Sequence, residues 1–331
     1  MQGFWSKLPK PFFALAPLAN VTDAAFRRII AKYGKPDVMY TEFVSADGLV
    51  RGNKEILMRD LLFSEAERPI VAQFFTATPA HMEQVAKLAL ELGFDGVDIN
   101  MGCPDGSVEK QGAGAALMKN PKLARELIRA AKSGAGKLPV SVKTRIGFNK
   151  DELDAWLPEI LAEEPAAVTI HARTRKEMSK VPAQWGTVRR AAEIRNKLDA
   201  QALIVGNGDV ADLADARQKV NETGCDGIML GRAIFGNPWL FSNSRELENS
   251  QGPSAQDKLR VLVEHTKLFE ELLGDIKSFA IMKKHFKAYV NGFNGAKELR
   301  GELMEAKDAE EVEEIVTRFL AVPFPVVSAI Y

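Results

Sequence analysis

Cysteine is scarce in this chain of 331 residues: there are two, Cys103 and Cys225. Two thiols make no disulfide framework, and the scarcity suits a reducing, intracellular compartment. There are only four histidines, and none stands at metal-ligand spacing, so no metal site is expected. Net charge is lacking too, because 44 basic residues balance 44 acidic ones. A globally basic nucleic-acid binder is therefore excluded, although a local basic face is not. No apolar run reaches membrane-spanning length. The opening "MQGFWSKLPKPFFALAPLAN" is broken by Lys7, Lys10 and its prolines, so it does not read as a signal peptide. What is present is 46% hydrophobic residues, enough for a sizeable core. These features lead us to expect a cytoplasmic protein with no membrane and no metal partner; a monomer is expected too, although nothing in the sequence fixes the oligomeric state.

Short apolar runs alternate with helical patterns through most of the chain. Strands are expected at 12–17, 37–43, 70–75, 96–100, 139–145, 167–173, 202–208 and 227–232. They are rich in β-branched and aromatic residues and mostly do not alternate, as strands buried on both faces should read. Helices are expected between them at 22–33, 78–93, 120–134, 152–164, 187–198 and 212–224, with Thr22, Thr78 and Asn120 as N-caps. Eight such units point to an α/β protein with a (β/α)8 TIM barrel. A doubly wound sheet would place a glycine fingerprint after the first strand, where this chain has "APLAN". Strand signals stop near residue 245, and three further helical segments follow the linker "NSQGPS" at 249–254. The expected domains are a catalytic barrel over 1–248 and a small C-terminal helical domain over 254–331.

In a barrel, chemistry collects at the C-terminal ends of the strands. Those ends carry Pro17 and Asn20, Glu42, Gln73, Asn100 and Cys103, Lys143 and Arg145, His171 and Arg173, Asn207 to Asp209, and Gly231 with Arg232. "GNGD" after the seventh strand and "GRA" after the eighth suggest an anion site, with phosphate the natural occupant; tight turns are the competing reading. Lys143 either meets an anion or polarised carbonyl or snorkels to solvent. His171 shares a strand face with Arg173, and is either part of the site or a satisfied structural histidine. Pro104 keeps Cys103 out of helical geometry, and Gly102 permits close backbone approach. With no histidine near it in sequence, a Cys–His nucleophile is not indicated; a thiol mostly protonated at neutral pH is a proton donor as readily as a nucleophile, and a small buried residue with no chemistry is the competing reading. Cys225 precedes the last strand and reads as structural.

"APLANVTDAAFRRI", "YTEFVSADGL", "DINMGCPDGSVEKQGAGAALMKNP", "VSVKTRIGF", "TIHARTR", "VGNGDV" and "GIMLGRAIFGNPWLF" together resemble the flavin-dependent tRNA-dihydrouridine synthase family. The match runs in order over almost the whole barrel. It departs from the family pattern at Phe75, Thr76 and Ala172, and in the loop "KEMSKVPAQW". The resemblance implies a flavoprotein oxidoreductase with FMN as cofactor and NADPH or NADH as reductant. Its product would be 5,6-dihydrouridine in tRNA. By the same resemblance Pro17, Leu18 and Ala19 would line the flavin ring, and Gln73, Lys143 and His171 would meet its polar edge. Asn207, Gly208, Asp209, Gly231 and Arg232 would hold its ribityl and phosphate end. Asn100 would contact substrate or flavin, and Cys103 would be the general acid that protonates C5 of uracil. Gly102, Gly112 and Gly114 would leave room for the base. Arg173 and Arg175 at the barrel rim are candidates for RNA contacts. So are Lys283, Lys284 and Lys287, in a basic segment over 276–300 that is followed by an acidic one over 305–315. Two other readings stay open: a flavin barrel acting on a free small molecule, such as a dihydroorotate dehydrogenase-like enzyme, and a tRNA-binding protein without chemistry.

Overall fold

The structure is a computed structural model and describes residues 2–52, 54–242 and 253–321. The chain forms two compact units, 1–23 with 35–233 and 24–34 with 234–331. Most of the expected linker, 249–252, lies outside the described residues, as do the chain end from 322 and the last residues of the segment 1–248.

The first unit is an eight-stranded parallel barrel. Its strands are β1 (Phe12–Leu15), β2 (Met39–Ser45), β3 (Ile70–Phe75), β4 (Gly96–Met101), β5 (Val140–Arg145), β6 (Ala167–His171), β7 (Leu203–Asn207) and β8 (Gly227–Leu230). Every boundary falls within two residues of expectation. The order β1-β8-β7-β6-β5-β4-β3-β2 runs round the sheet. A parallel bridge between Ala14 and Val38 closes it, with Leu15 N–H donating to Val38 O at 3.0 Å. In β2 the register with β3 shifts between Tyr40 and Phe43, a bulge whose Thr41 hydroxyl accepts the Gln73 N–H at 3.0 Å.

The lower barrel is filled by side chains from β1, β2, β3, β6, β7 and β8: Phe12, Ala14, Tyr40, Val71, Ala167, Leu203, Val205 and Met229. Trp5 plugs that end and meets Phe12 edge to face, 5.6 Å between ring centroids. Burying these apolar side chains is worth ~1.5–3 kcal/mol for each large one, before chain entropy is set against it. Because the bottom is packed, the open end is the C-terminal one. Helices 79–91, 121–135, 153–161, 185–197 and 213–223 follow β3 to β7 near their expected places. Asn120 caps its helix through Leu123 N–H at 3.2 Å, whereas Thr78 makes no side-chain cap bond. The helix after β1 starts at Ala24, and the Thr22 hydroxyl accepts the Leu18 N–H at 2.8 Å, folding the loop after β1 back on itself.

The second unit is helical, built from 24–33, 255–273, 282–289, 296–305 and 309–321. Ser254 and Asp257 form a reciprocal capping box at the start of its longest helix. The helix 296–305 was not among the expected ones; it follows Gly295, whose φ of 79° is left-handed.

Candidate active site

Strand periodicity and register assemble the barrel mouth. On β4, β5 and β6 alternate residues face one way, and the parallel register sets Gln73 beside Asp98, Asp98 beside Ser141, Asn100 beside Lys143, Arg145 beside His171 and His171 beside Asn207. Polar side chains on five consecutive strands therefore line the upper barrel on successive rungs of the register, Asp98 lowest and His171 with Asn207 highest. Gln73 Nε2 donates to Asp98 Oδ2 at 2.7 Å, and Ser141 Oγ donates to Asp98 Oδ1 at 2.6 Å. Asn100 Nδ2 donates to Gln73 Oε1 at 3.0 Å. The Asn100 oxygen accepts the backbone N–H groups of Gly102, 3.1 Å, and Cys103, 2.9 Å. Lys143 Nζ reaches across β6 to Asn207 Oδ1 at 3.4 Å, while Asn207 Nδ2 donates to Met229 O at 2.8 Å.

Cys103 is half-buried against Phe43, Phe75, Val108 and Ala113. Burial pushes its thiol above the ordinary value, so it carries its proton at neutral pH. Gly114, at φ 59°, lies over the loop: a Cβ there would fall 2.8 Å from Cys103 O, and Ala115 N–H donates to that oxygen at 3.0 Å. A Cβ on Gly102 would press on Thr144 backbone at 3.2 Å. The space these two glycines provide is thus taken by the cysteine loop itself and its neighbouring strand. Arg145 Nε donates to Gly102 O at 2.9 Å, and its Nη1 donates to Thr174 O and Met178 O, both at 3.0 Å. One guanidinium so ties the cysteine loop to the loop after β6. Arg175 adds a second tie, a forked pair with Glu109 on the helix that follows Cys103.

On the other side of the mouth, Arg173 is buried, with its donors committed to Asp209 Oδ2, Val181 O at 2.6 Å and His171 Nε2 at 3.1 Å. Arg232, largely exposed, donates to the other Asp209 oxygen at 2.6 Å. The two arginines hold the Asp209 carboxyl below its usual value. Burial drives the His171 imidazole far below its usual value, and Lys143, Arg145, Arg173 and Arg232 push it the same way. His171 is therefore neutral. Since arginine only donates, Nε2 accepts and the ring proton sits on Nδ1. Gly208, at φ 125°, comes close to that ring, and a Cβ on it would lie 3.2 Å from His171 Cδ2. The loops after β1 and β8 also meet: a Cβ on Gly231 would have only Ala16 and Leu18 near it, at 3.6 and 4.0 Å. Pro17 is buried there, Leu18 half-buried and Ala19 exposed.

The dihydrouridine synthase family model matches residues 14–322. The chain belongs to the dihydrouridine synthase family. A probable tRNA-dihydrouridine synthase of Staphylococcus epidermidis is 38% identical over 97% of this chain and 97% of its own length. Probable tRNA-dihydrouridine synthase 2 of Bacillus subtilis is 39% identical over 96% of this chain and 97% of its own. Among solved structures, TcOYE with pHBA superposes with a TM-score of 0.53 at 12% identity, over 74% of this chain and 91% of that one. Morphinone reductase in complex with tetrahydroNAD gives 0.50 at 13%, over 74% and 89%. At such identities the structures speak for the barrel fold alone.

Within this dihydrouridine synthase the mouth brings together Gln73, Asn100, Cys103, Lys143, His171, Asn207, Gly208, Asp209 and, through Asp209, Arg173 and Arg232. Arg175 is joined to the cysteine side through Glu109. Lys283, Lys284 and Lys287 lie on helix 282–289 of the second unit, where Lys284 and Lys287 are exposed and Lys283 donates to Met304 O at 2.5 Å. Sequence reasoning passed over Asp98, Ser141 and Glu109. Asp98 was in view, inside the "DIN" that precedes the cysteine, but read as ordinary strand. The departure at Thr76 also gains a reason. Its hydroxyl donates to Asp47 at 2.6 Å, and His81 Nδ1 lies 2.6 Å from the same carboxyl, so the loops after β2 and β3 are pinned together. Ala172 is fully buried, its N–H donating to Asn207 O at 3.0 Å. No helix among the described residues is long and apolar enough to cross a membrane, and no group of three or more metal-ligating side chains occurs among them.

Proposed function

We propose that the chain is an FMN-dependent tRNA-dihydrouridine synthase that reduces uridines of tRNA to 5,6-dihydrouridine in the cytoplasm, with NADPH or NADH as the reductant. The observation that carries this reading is a protonated, half-buried thiol held by Asn100 at the rim of a cationic, neutral-histidine mouth.

The residues present fit FMN. Four cations bear on His171, and Asp209 pairs with two of them, Arg173 and Arg232, which leaves a positive field suited to a phosphate. Lys143 has one long contact, and burial with Arg145 nearby lowers its ammonium to about 8. A cation so poorly satisfied accepts a polar ring edge readily. Arg232, Asp209, Gly208 and Gly231 would hold the phosphate and ribityl end. Lys143, Gln73 and His171 Nδ1–H would meet the ring, with Pro17, Leu18 and Ala19 beneath it.

When bound, FMN supplies the hydride that goes to C6 of the uracil ring. The product then needs a proton at C5, where charge has been delocalised toward the C4 carbonyl. Cys103 holds a proton at Sγ and is small enough to stand over a ring carbon. Asn100 orients it by accepting its backbone N–H, and Arg145 fixes the preceding carbonyl. The target base must leave its stack to enter the mouth. The exposed Lys284 and Lys287 of the basic helix, and Arg175 at the rim, would bear on the RNA backbone.

Mass spectrometry of tRNA from a deletion strain tests the reading, together with the flavin spectrum of the purified protein. A missing dihydrouridine restored by the cloned gene is expected. A yellow protein whose loss leaves every dihydrouridine in place would point to a small-molecule substrate instead.

A further inference from the structure

Asp98 is fully buried in the barrel beneath the mouth and touches no group assigned a role above except Gln73. Burial raises its carboxyl to about 6, with Ser141, Gln73 and Lys143 working against the rise. At neutral pH it is a carboxylate, which only accepts. Gln73 must therefore turn its NH2 group toward Asp98, and the only end left for Asn100 is its oxygen. Asn100 in turn must offer NH2 to Gln73, which leaves its own oxygen free for the two backbone N–H groups of Gly102 and Cys103. Reversing either amide would set oxygen against oxygen, or leave two buried N–H groups unsatisfied. The geometry is continuous, from 2.6 Å at Ser141 to 2.9 Å at Cys103, and crosses three strands.

We propose that Asp98 is a positioning residue for the catalytic loop: its carboxylate sets the amide orientation of Gln73, hence of Asn100, and so holds the backbone of Cys103 in place. The proposal rests on the reading of Cys103 as the proton donor only for its consequence in turnover, not for the chain of bonds itself. Asp98 acts through other residues and touches no reacting atom.

The test uses the full-length protein, purified with its bound flavin, and iodoacetamide as a probe of Cys103. Cys225, buried beside β8, serves as the internal control. Asp98→Asn offers either end of an amide to Gln73, so the orientation is no longer dictated. Loosening the loop relieves the burial that holds the thiol protonated, so alkylation of Cys103 should rise roughly fivefold. Asn100→Ala should do the same. The double variant should react no faster than either single one, because both changes act through the same two N–H bonds. The turnover number on tRNA should fall in Asp98→Asn while KM for tRNA stays within about twofold. Should Asp98→Asn fail to fold, Gln73→Met removes both ends of the middle amide and should give the same alkylation increase. Rates that multiply in the double variant, or an unchanged rate in Asp98→Asn, would overturn the proposal. Full turnover by Cys103→Ala would instead remove the proton-donor reading and leave the alkylation result standing on its own.

Discussion

His265 and His285 meet ring to ring in the interior of the helical unit, 4.6 Å between centroids at an interplanar angle of 78°, both fully buried. None of their four nitrogens has a hydrogen-bond partner among the described residues, and the hydroxyl of neighbouring Tyr289 shares that condition. Phe26 stacks on His265 at 5.0 Å and tilts against His285 at 4.7 Å. Burial drives both imidazoles down, His285 to about 3 with Lys284 adding to the effect, and His265 well below its usual value.

The pair should therefore make the helical unit sensitive to acid. The folded pKa values lie below the unfolded one of about 6.5, so between about 3 and 6.5 the unfolded chain binds more protons. The stability from keeping the rings neutral is fully present above about pH 6.5 and is lost as pH falls below it, by up to ~1.4 kcal/mol per histidine per pH unit. Urea unfolding followed at pH 7 and pH 5 should show a loss that His285→Phe reduces. An equal loss in the variant would assign the acid sensitivity to other groups.

Cys103→Ala should keep its bound flavin and should still oxidise NADPH. Dihydrouridine formation should drop by about 10² or more, the usual scale for a lost general acid. The comparison is single-turnover assay of both half-reactions on intact tRNA, and near-normal product formation would take Cys103 out of the chemistry.

The barrel was legible because its strands are short apolar runs between helical patterns, a signal each segment carries alone. The polar strand ends were legible for the same reason: Lys143, His171 and Asn207 each stand out against apolar neighbours. The Asp98 chain was not. It depends on Gln73, Asp98 and Ser141 standing side by side, which follows from the register of three strands and from no local pattern. Arg173 illustrates the same limit. Its residue type suggested a rim contact with RNA, but its donors point to Asp209, His171 and Val181 O. The helix at 296–305 escaped notice because Gly301 and a polar sequence weaken its pattern, while tertiary contacts of Leu299 and Leu303 sustain it.

Lys143 should set an alkaline limit on flavin binding. In the protein without flavin its ammonium loses a proton near pH 8, because burial and Arg145 disfavour the charge. If FMN meets the charged form, affinity for FMN should hold below about pH 8 and weaken as pH rises through it. Fluorescence titration of the flavin-free protein from pH 7 to 9.5 measures this, and Lys143→Met should bind more weakly at pH 7 and lose the pH dependence. A wild-type affinity that stays level to pH 9.5 would place the ring edge away from Lys143.

The helix 282–289 refines where RNA would dock on the helical unit. Lys283 is drawn to Met304 O, so part of its role is to join two helices. Lys284 and Lys287 are exposed, and their spacing of three residues sets them on neighbouring positions of one face. His285 and Phe286, between them in sequence, turn inward and are fully buried, which fixes that face outward. A neutral total charge hides such a patch, because the acids that balance it sit elsewhere, among them Glu310, Glu311, Glu313 and Glu314 on helix 309–321. Phosphate contacts release counterions, so each lysine lost should flatten the dependence of affinity on salt as well as weaken it. Lys284→Ala with Lys287→Ala should raise KM for tRNA severalfold and reduce the salt slope by roughly one to two. Flavin content and NADPH oxidation in the absence of tRNA should not change, and Lys283 is left in place so that the helix packing is intact. An unaltered salt slope would move the RNA contacts to the barrel rim, where Arg175 and Lys176 lie within the loop that Arg145 holds.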